Sequence, residues 1–123
     1  MDLKLFKENY AVCNLSNNIS SPICVDTSSF YYITKFKENL SIICLNKSIP
    51  KDVNVDGDWR LMEILKPINL YLVGIVSKIS KVLEDYNINV FEMQVEDKNY
   101  FLIKEYDVYN ACKVLEYNGF KFI

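Results

Sequence analysis

The chain has no histidine among its 123 residues, and of its 14 basic residues only Arg60 is an arginine. The lack of histidine removes Ser-His and Cys-His nucleophile pairs and histidine-based metal sites together. None of the four cysteines, Cys13, Cys24, Cys44 and Cys112, forms a C-x-x-C pair, so neither a zinc ribbon nor a thioredoxin-type motif is expected. Cys13, Cys44 and Cys112 stand in apolar surroundings, as expected of reduced core thiols in a cytoplasmic protein. There is no excess of positive charge: the net charge is −2 and the pI about 5.1. Lysines and acids alternate without a polybasic run, which leaves no electrostatic footprint for nucleic acid or a membrane surface. The first ten residues, MDLKLFKENY, carry charges through any would-be apolar core. Neither a signal peptide nor a membrane span is expected there. Asparagine, lysine and isoleucine dominate, which reads as the codon usage of an AT-rich bacterial genome.

Half of the residues are apolar, enough for a substantial core in one domain or two small packed subdomains. The segment from Trp59 to Ile103 organises the rest. An apolar strand, Trp59–Leu65, precedes a turn at Lys66-Pro67. Ile68 to Ile75 leads into a helix ending near Tyr86-Asn87. Its residues Leu72, Ile75, Val76, Ile79, Val82, Leu83 and Tyr86 recur at steps of three and four, one apolar stripe. Two strands, about Ile88–Val95 and Asn99–Ile103, meet at the turn Glu96-Asp97-Lys98. Phe91, Met93 and Val95 share one strand face, opposite Glu92 and Gln94. A second helix carries Val108, Ala111, Cys112 and Leu115, Gly119 stops it in a left-handed conformation, and Phe120–Ile123 closes the chain. The order is β-α-β-β-α-β, the split βαβ arrangement of ferredoxin-like folds.

The first half repeats this in weaker form. Leu3–Leu15 reads as a strand, with a bulge or bend expected at the charged triplet Lys7-Glu8-Asn9. Ser21-Pro22 opens a short helix to about Thr27. Phe30–Phe36 and Leu40–Leu45 read as strands around the turn Lys37-Glu38-Asn39. The division expected is an N-terminal subdomain over 1–50, a linker at Lys51–Asp58 and a C-terminal subdomain over 59–123.

Four pieces in order resemble the small bacterial tandem ACT-domain proteins, relatives of the animal cytosolic arginine sensors. They are ENLSIICLNKSIP; GDWRLMEILKPINLYLVGIV; the strand with Tyr100, Leu102 and Ile103; and a closing helix with Ala111, Leu115 and Gly119. The resemblance implies an α+β fold of two ACT-like subdomains, the first with a shortened helix. It implies a non-catalytic regulatory protein that binds a small ligand, an amino acid, between ACT units. The implied site is the lip Asn69, Leu70, Tyr71, Val73, Gly74 and Ile75, faced by Gln94 and Asn99. Several polar positions depart from the family's pattern. Asn69-Leu70-Tyr71 stands where Asp-Phe-Ser is usual, Gln94-Val95 where Ser-Thr is, and Lys98-Asn99 where Thr-Asp is. Losing aspartates at 69 and 99 removes charges that would pair with a cationic ligand.

Gly74 has two readings. Without a Cβ, backbone amides at the helix start can approach a ligand carboxylate, or the helix can lie close on the sheet. Asn69, Gln94 and Asn99 read either as hydrogen-bonding groups for a ligand or as solvated turn residues. Trp59 and Arg60 read as a packing anchor with the arginine over its rim. The tyrosines read as half-buried, some at a dimer face, and a homodimer is expected from the exposed sheet edges. Enzyme readings are disfavoured. Acylphosphatases share the chain order but need an arginine in the first strand-to-helix loop, and residues 66–74 contain none. The RNA-binding RRM fold shares it too, yet KNYFLI lacks the glycine-spaced aromatic pattern. Neither a metal nor a cofactor is expected.

Overall fold

A computed structural model describes residues 2–16, 31–36, 39–46, 54–65 and 72–123. The elements are β1 (Asp2–Ser16), β2 (Tyr32–Phe36), β3 (Asn39–Leu45), β4 (Asn54–Ile64), α1 (Leu72–Asp85), β5 (Val90–Val95), β6 (Lys98–Lys104), α2 (Val108–Tyr117, after a 3-10 turn at Glu105–Asp107) and β7 (Lys121–Phe122). The chain packs as two units, Met1–Lys7 with Arg60–Ile123, and Glu8–Trp59. One crossing lies beside the expected linker. The other, at Lys7-Glu8, falls inside β1, so the first seven residues pack with the C-terminal unit. Asn54 to Asp58, expected as linker, already belong to β4. The short helix expected to open at Ser21-Pro22 lies outside the described residues.

β1 is one continuous strand across the charged triplet where a bulge was expected.

In the larger unit the strand order is β7-β1-β4-β6-β5. The sheet and its two helices form the α+β, ferredoxin-like architecture that the chain order implies, with one insertion. β7 pairs in parallel with β1, Asp2 with Lys121 and Leu3 with Phe122, instead of lying beside β4. The core gathers Leu3, Met62, Ile64, Ile79, Leu83, Phe101, Ile103, Ala111 and Leu115, with Ile75, Val76 and Val82 of the α1 stripe packed against it. Arg60 holds β1 to β4: its Nε and Nη2 donate to the Phe6 carbonyl at 2.9 and 2.7 Å.

Both helices end in the same device. After α1, the Ile88 amide donates to the Leu83 carbonyl and Asn87 to Glu84, with Asn87 at φ +59°. After α2, Phe120 donates to Leu115 and Gly119 to Glu116, with Gly119 at φ +94°. These are Schellman closures, in which a left-handed residue turns the last amides back onto orphan carbonyls. Glycine meets that demand at one end and asparagine at the other.

In the smaller unit the order is β2-β3-β1-β4. Ala11, Cys13, Ile42 and Cys44 form its buried cluster, with Leu40 packed on it. Cys13 and Cys44 are buried and Cys112 is partly exposed, none of them in a disulfide. Among the described residues no helix is long and apolar enough to cross a membrane.

Candidate functional site

The β5–β6 hairpin turns tightly at Glu96-Asp97, with Val95 opposite Lys98 and Glu96 at φ +54°. Lys98, expected in the turn, is the first residue of β6. The register places Gln94 opposite Asn99, Met93 opposite Tyr100 and Glu92 opposite Phe101. Facing residues share a sheet face, and the next pair along takes the other. Gln94, Asn99, Glu92 and Phe101 therefore project to one side. That side is the helix side, because Phe101 joins Ile79 and Leu83 of α1 in the core, and Ser80 of α1 hydrogen-bonds Glu92.

Here the hairpin and α1 enclose a pocket of about 210 Å³, lined by Val76, Glu92, Met93, Gln94, Asn99, Tyr100 and Phe101. Asn99 is the buried polar residue of the described core, at 7% exposure. Its Nδ2 has no acceptor. A buried donor left so costs on the order of 1–3 kcal/mol, which a ligand oxygen in the pocket would offset. Gln94, by contrast, is exposed, and its Nε2 reaches the Glu96 carbonyl at 3.4 Å. Tyr100 has its phenol pKa raised above 10.0, chiefly by burial and then by the carboxylates of Glu63 and Asp97. Glu92 is exposed and accepts from Ser80, and among the described residues no lysine or arginine pairs with it.

The residues expected to form the site divide into three groups. Gln94 and Asn99 come together on one cross-strand pair and line the pocket. Val73, Gly74 and Ile75 lie in the first turn or so of α1, the helix whose Val76 lines it. Asn69, Leu70 and Tyr71 lie outside the described residues. Gly74 is exposed, and a Cβ placed on it meets nothing within 4 Å. Close packing of helix on sheet therefore places no demand for glycine there. Ile75 is half-buried against the core. The first turn of α1 carries no acidic side chain, and the amides of a helix's first turn carry a partial positive charge.

Sequence reasoning missed Val76, Glu92, Met93, Tyr100 and Phe101. Glu92 was within reach, because it lies two residues from Gln94 and a strand repeats its faces every two. Val76 was absorbed into the helix stripe, where lining a core and lining a pocket look alike.

A second pocket, about 280 Å³, lies in the smaller unit and is lined by Glu8, Asn9, Leu45 and Asn46. The Oδ1 atoms of Asn9 and Asn46 are buried without a donor. The Asn46 Nδ2 donates to Asp58 at 3.1 Å. Among the described residues no cluster of cysteine and acidic side chains is suited to hold a metal ion.

The ACT-domain family model matches residues 54–117, just over half of the chain. The chain belongs to the ACT-domain family. A second model, of an N-terminal domain, matches residues 8–52, nearly the extent of the smaller unit. Among solved structures, an Agrobacterium tumefaciens protein aligns with a TM-score of 0.92 at 28% identity, over 99% of this ACT chain and 91% of its own. A structure of aspartokinase α and β subunits aligns at 0.68 and 15% identity, over 94% and 95% of the two chains. The regulatory subunit of aspartate kinase from Thermus thermophilus aligns at 0.63 and 7% identity, over 91% and 95%. At these low identities the two kinase structures establish a shared fold. No curated protein matches the ACT chain.

Proposed function

We propose that this ACT protein is a non-catalytic regulatory protein that binds a free amino acid in the pocket between α1 and the β5–β6 hairpin. The observation that carries the reading is Asn99, a buried amide without an acceptor, lining a pocket beside the start of a helix. A volume of about 210 Å³ lies below the roughly 300–1,000 Å³ of pockets for drug-sized ligands, which suits a small metabolite. The ligand carboxylate accepts hydrogen bonds from the first-turn amides of α1 at Val73 and Gly74. The exposed Glu92 carboxylate takes the ammonium. Two charge-assisted bonds at roughly 1.5–3 kcal/mol each, with side-chain burial, correspond to about micromolar to millimolar affinity. Regulation follows by population shift: the ligand favours the arrangement of ACT units to which it binds better. The regulatory reading is supported by family membership and by the Thermus thermophilus neighbour, itself a regulatory subunit. Three described cysteines that are in no disulfide fit a cytoplasmic setting.

The experiment is a thermal-shift screen against the twenty amino acids, because a ligand that binds only the native state raises the melting temperature. A rise with one or a few of them is expected, and no rise with any overturns the reading. A second reading, an association module without a ligand, is favoured by β5. It is the last strand of its sheet, with Phe91 and Val95 exposed, and such an edge invites pairing. Light scattering is expected to give a homodimer, and a mass of 14.4 kDa across the micromolar range counts against one.

A further inference from the structure

We propose that the amino acid bound in the α1–hairpin pocket ends in a carboxamide, as glutamine and asparagine do, and that Asn99 reads that group. The inference rests on the reading that this pocket holds an amino acid, and adds which class. Three observations lead to it. Asn99 is more than nine-tenths buried, lines the pocket, and has an Nδ2 with no acceptor. Its own amide offers one acceptor and one donor group, and turning it over exchanges the two. Glu92, on the same face of the hairpin, brings a negative charge that no described cation offsets.

The candidate side chains separate on these terms. An ammonium or guanidinium offers only donors, which leaves the Asn99 Nδ2 without a partner. A carboxylate accepts from Nδ2 but is set beside Glu92, and like charges disfavour each other at short range. A hydroxyl is neutral, yet presents a single atom to a two-atom partner. A carboxamide is neutral and carries an acceptor and a donor side by side, so it pairs with the Asn99 amide in either orientation. An apolar side chain satisfies nothing and keeps the buried donor unpartnered. The same logic explains how a site built to hydrogen-bond a polar group rejects analogues lacking it.

Calorimetry on the intact protein with L-glutamine, L-asparagine, L-glutamate, L-serine, L-lysine and L-arginine tests this. Glutamine or asparagine is expected to bind at least about tenfold more tightly than any of the others. Asn99→Asp is expected to weaken the carboxamide ligand at least about tenfold and to shift preference toward lysine or arginine. Asn99→Leu is expected to abolish the preference while raising the melting temperature of the free protein, since it removes the buried unpaired donor. Circular dichroism confirms folding of each variant. A wild type that prefers glutamate, lysine, arginine or serine overturns the proposal while leaving the amino-acid site standing. So does a folded Asn99→Leu that keeps the carboxamide preference. If no amino acid binds the wild type, both the site and its specificity are overturned.

Discussion

Replacing Arg60 by methionine isolates the one guanidinium of the chain. The Arg60 Nε and Nη2 converge on the Phe6 carbonyl at 2.9 and 2.7 Å. The side chain is 17% exposed, and its Nη1 lies 3.9 Å from the Glu105 carboxylate, which is 48% exposed. Two effects compete for the credit. A hydrogen bond from a charged donor is worth roughly 1.5–3 kcal/mol. An exposed ion pair at the limit of contact is worth about 0–1 kcal/mol, less in salt. Methionine keeps most of the apolar stem, so the loss is read as polar. We expect Arg60→Met to cost about 2–3 kcal/mol and Glu105→Gln less than about 0.5 kcal/mol. Arg60→Lys falls between, since an ammonium cannot present the planar fork. In a unit of this size 1 kcal/mol corresponds to roughly 4–8 °C, so Arg60→Met lowers the melting temperature by about 8–24 °C, with little dependence on salt. A linked readout is Cys112, whose thiol pKa is raised by burial and by Glu116 and lowered by Arg60. Arg60→Met raises it further and slows alkylation. If Glu105→Gln destabilises as much as Arg60→Met, the carbonyl fork is not what joins β1 to β4.

Leu83→Ala removes a side chain with no exposure from the core, with an expected loss of about 2–5 kcal/mol by chemical denaturation. Gly119→Ala places a Cβ at φ +94° and is expected to cost about 1 kcal/mol or more, although no neighbour obstructs it. Gly74→Val leaves the fold intact, because the Cβ meets nothing within 4 Å, yet calorimetry is expected to show amino-acid binding lost. Tyr100 and Cys112 both have raised pKa values. Each favours its protonated form when folded, so their contribution is full below the unfolded pKa and declines as pH rises through the folded one. Melting temperature is expected to fall above about pH 9–10, and Tyr100→Phe flattens part of that fall.

The sequence made the C-terminal half readable because its signals are local. The α1 stripe, the Glu96-Asp97 turn and the left-handed stop at Gly119 each lie within a few residues and each has a physical cause. The extent of β4 was less clear, because Asn54 to Asp58 are polar and resemble a connector until a neighbouring strand supplies their hydrogen bonds. The insertion of β1 beside β7 was not legible at all: the pairing of Asp2 with Lys121 leaves no pattern in either segment. The site was half legible. Gln94 and Asn99 stood out as polar residues at one end of the hairpin. What separates them is burial, which the sequence of the hairpin does not reveal. Both lie on the α1 side of the hairpin, but Asn99 is buried there and Gln94 is exposed. Arg60 was read as a rim over Trp59, and its hold on the Phe6 carbonyl was not legible.

The parallel pairing of Asp2–Leu3 with Lys121–Phe122 also sets an order of events during synthesis. The ribosome delivers β1 early and its last partner only after nearly all of the described chain has emerged. Contacts so distant in sequence are slow to form because the loop they close is long. The described strands within residues 8–59 meet one another much sooner. One edge of Asp2–Lys7 meets β4 soon after, but the edge that takes β7, with Leu3 destined for the core of the larger unit, must wait exposed meanwhile. Its lysines, Lys4 and Lys7, are suited to that wait, since charge on an unpaired strand discourages wrong partners.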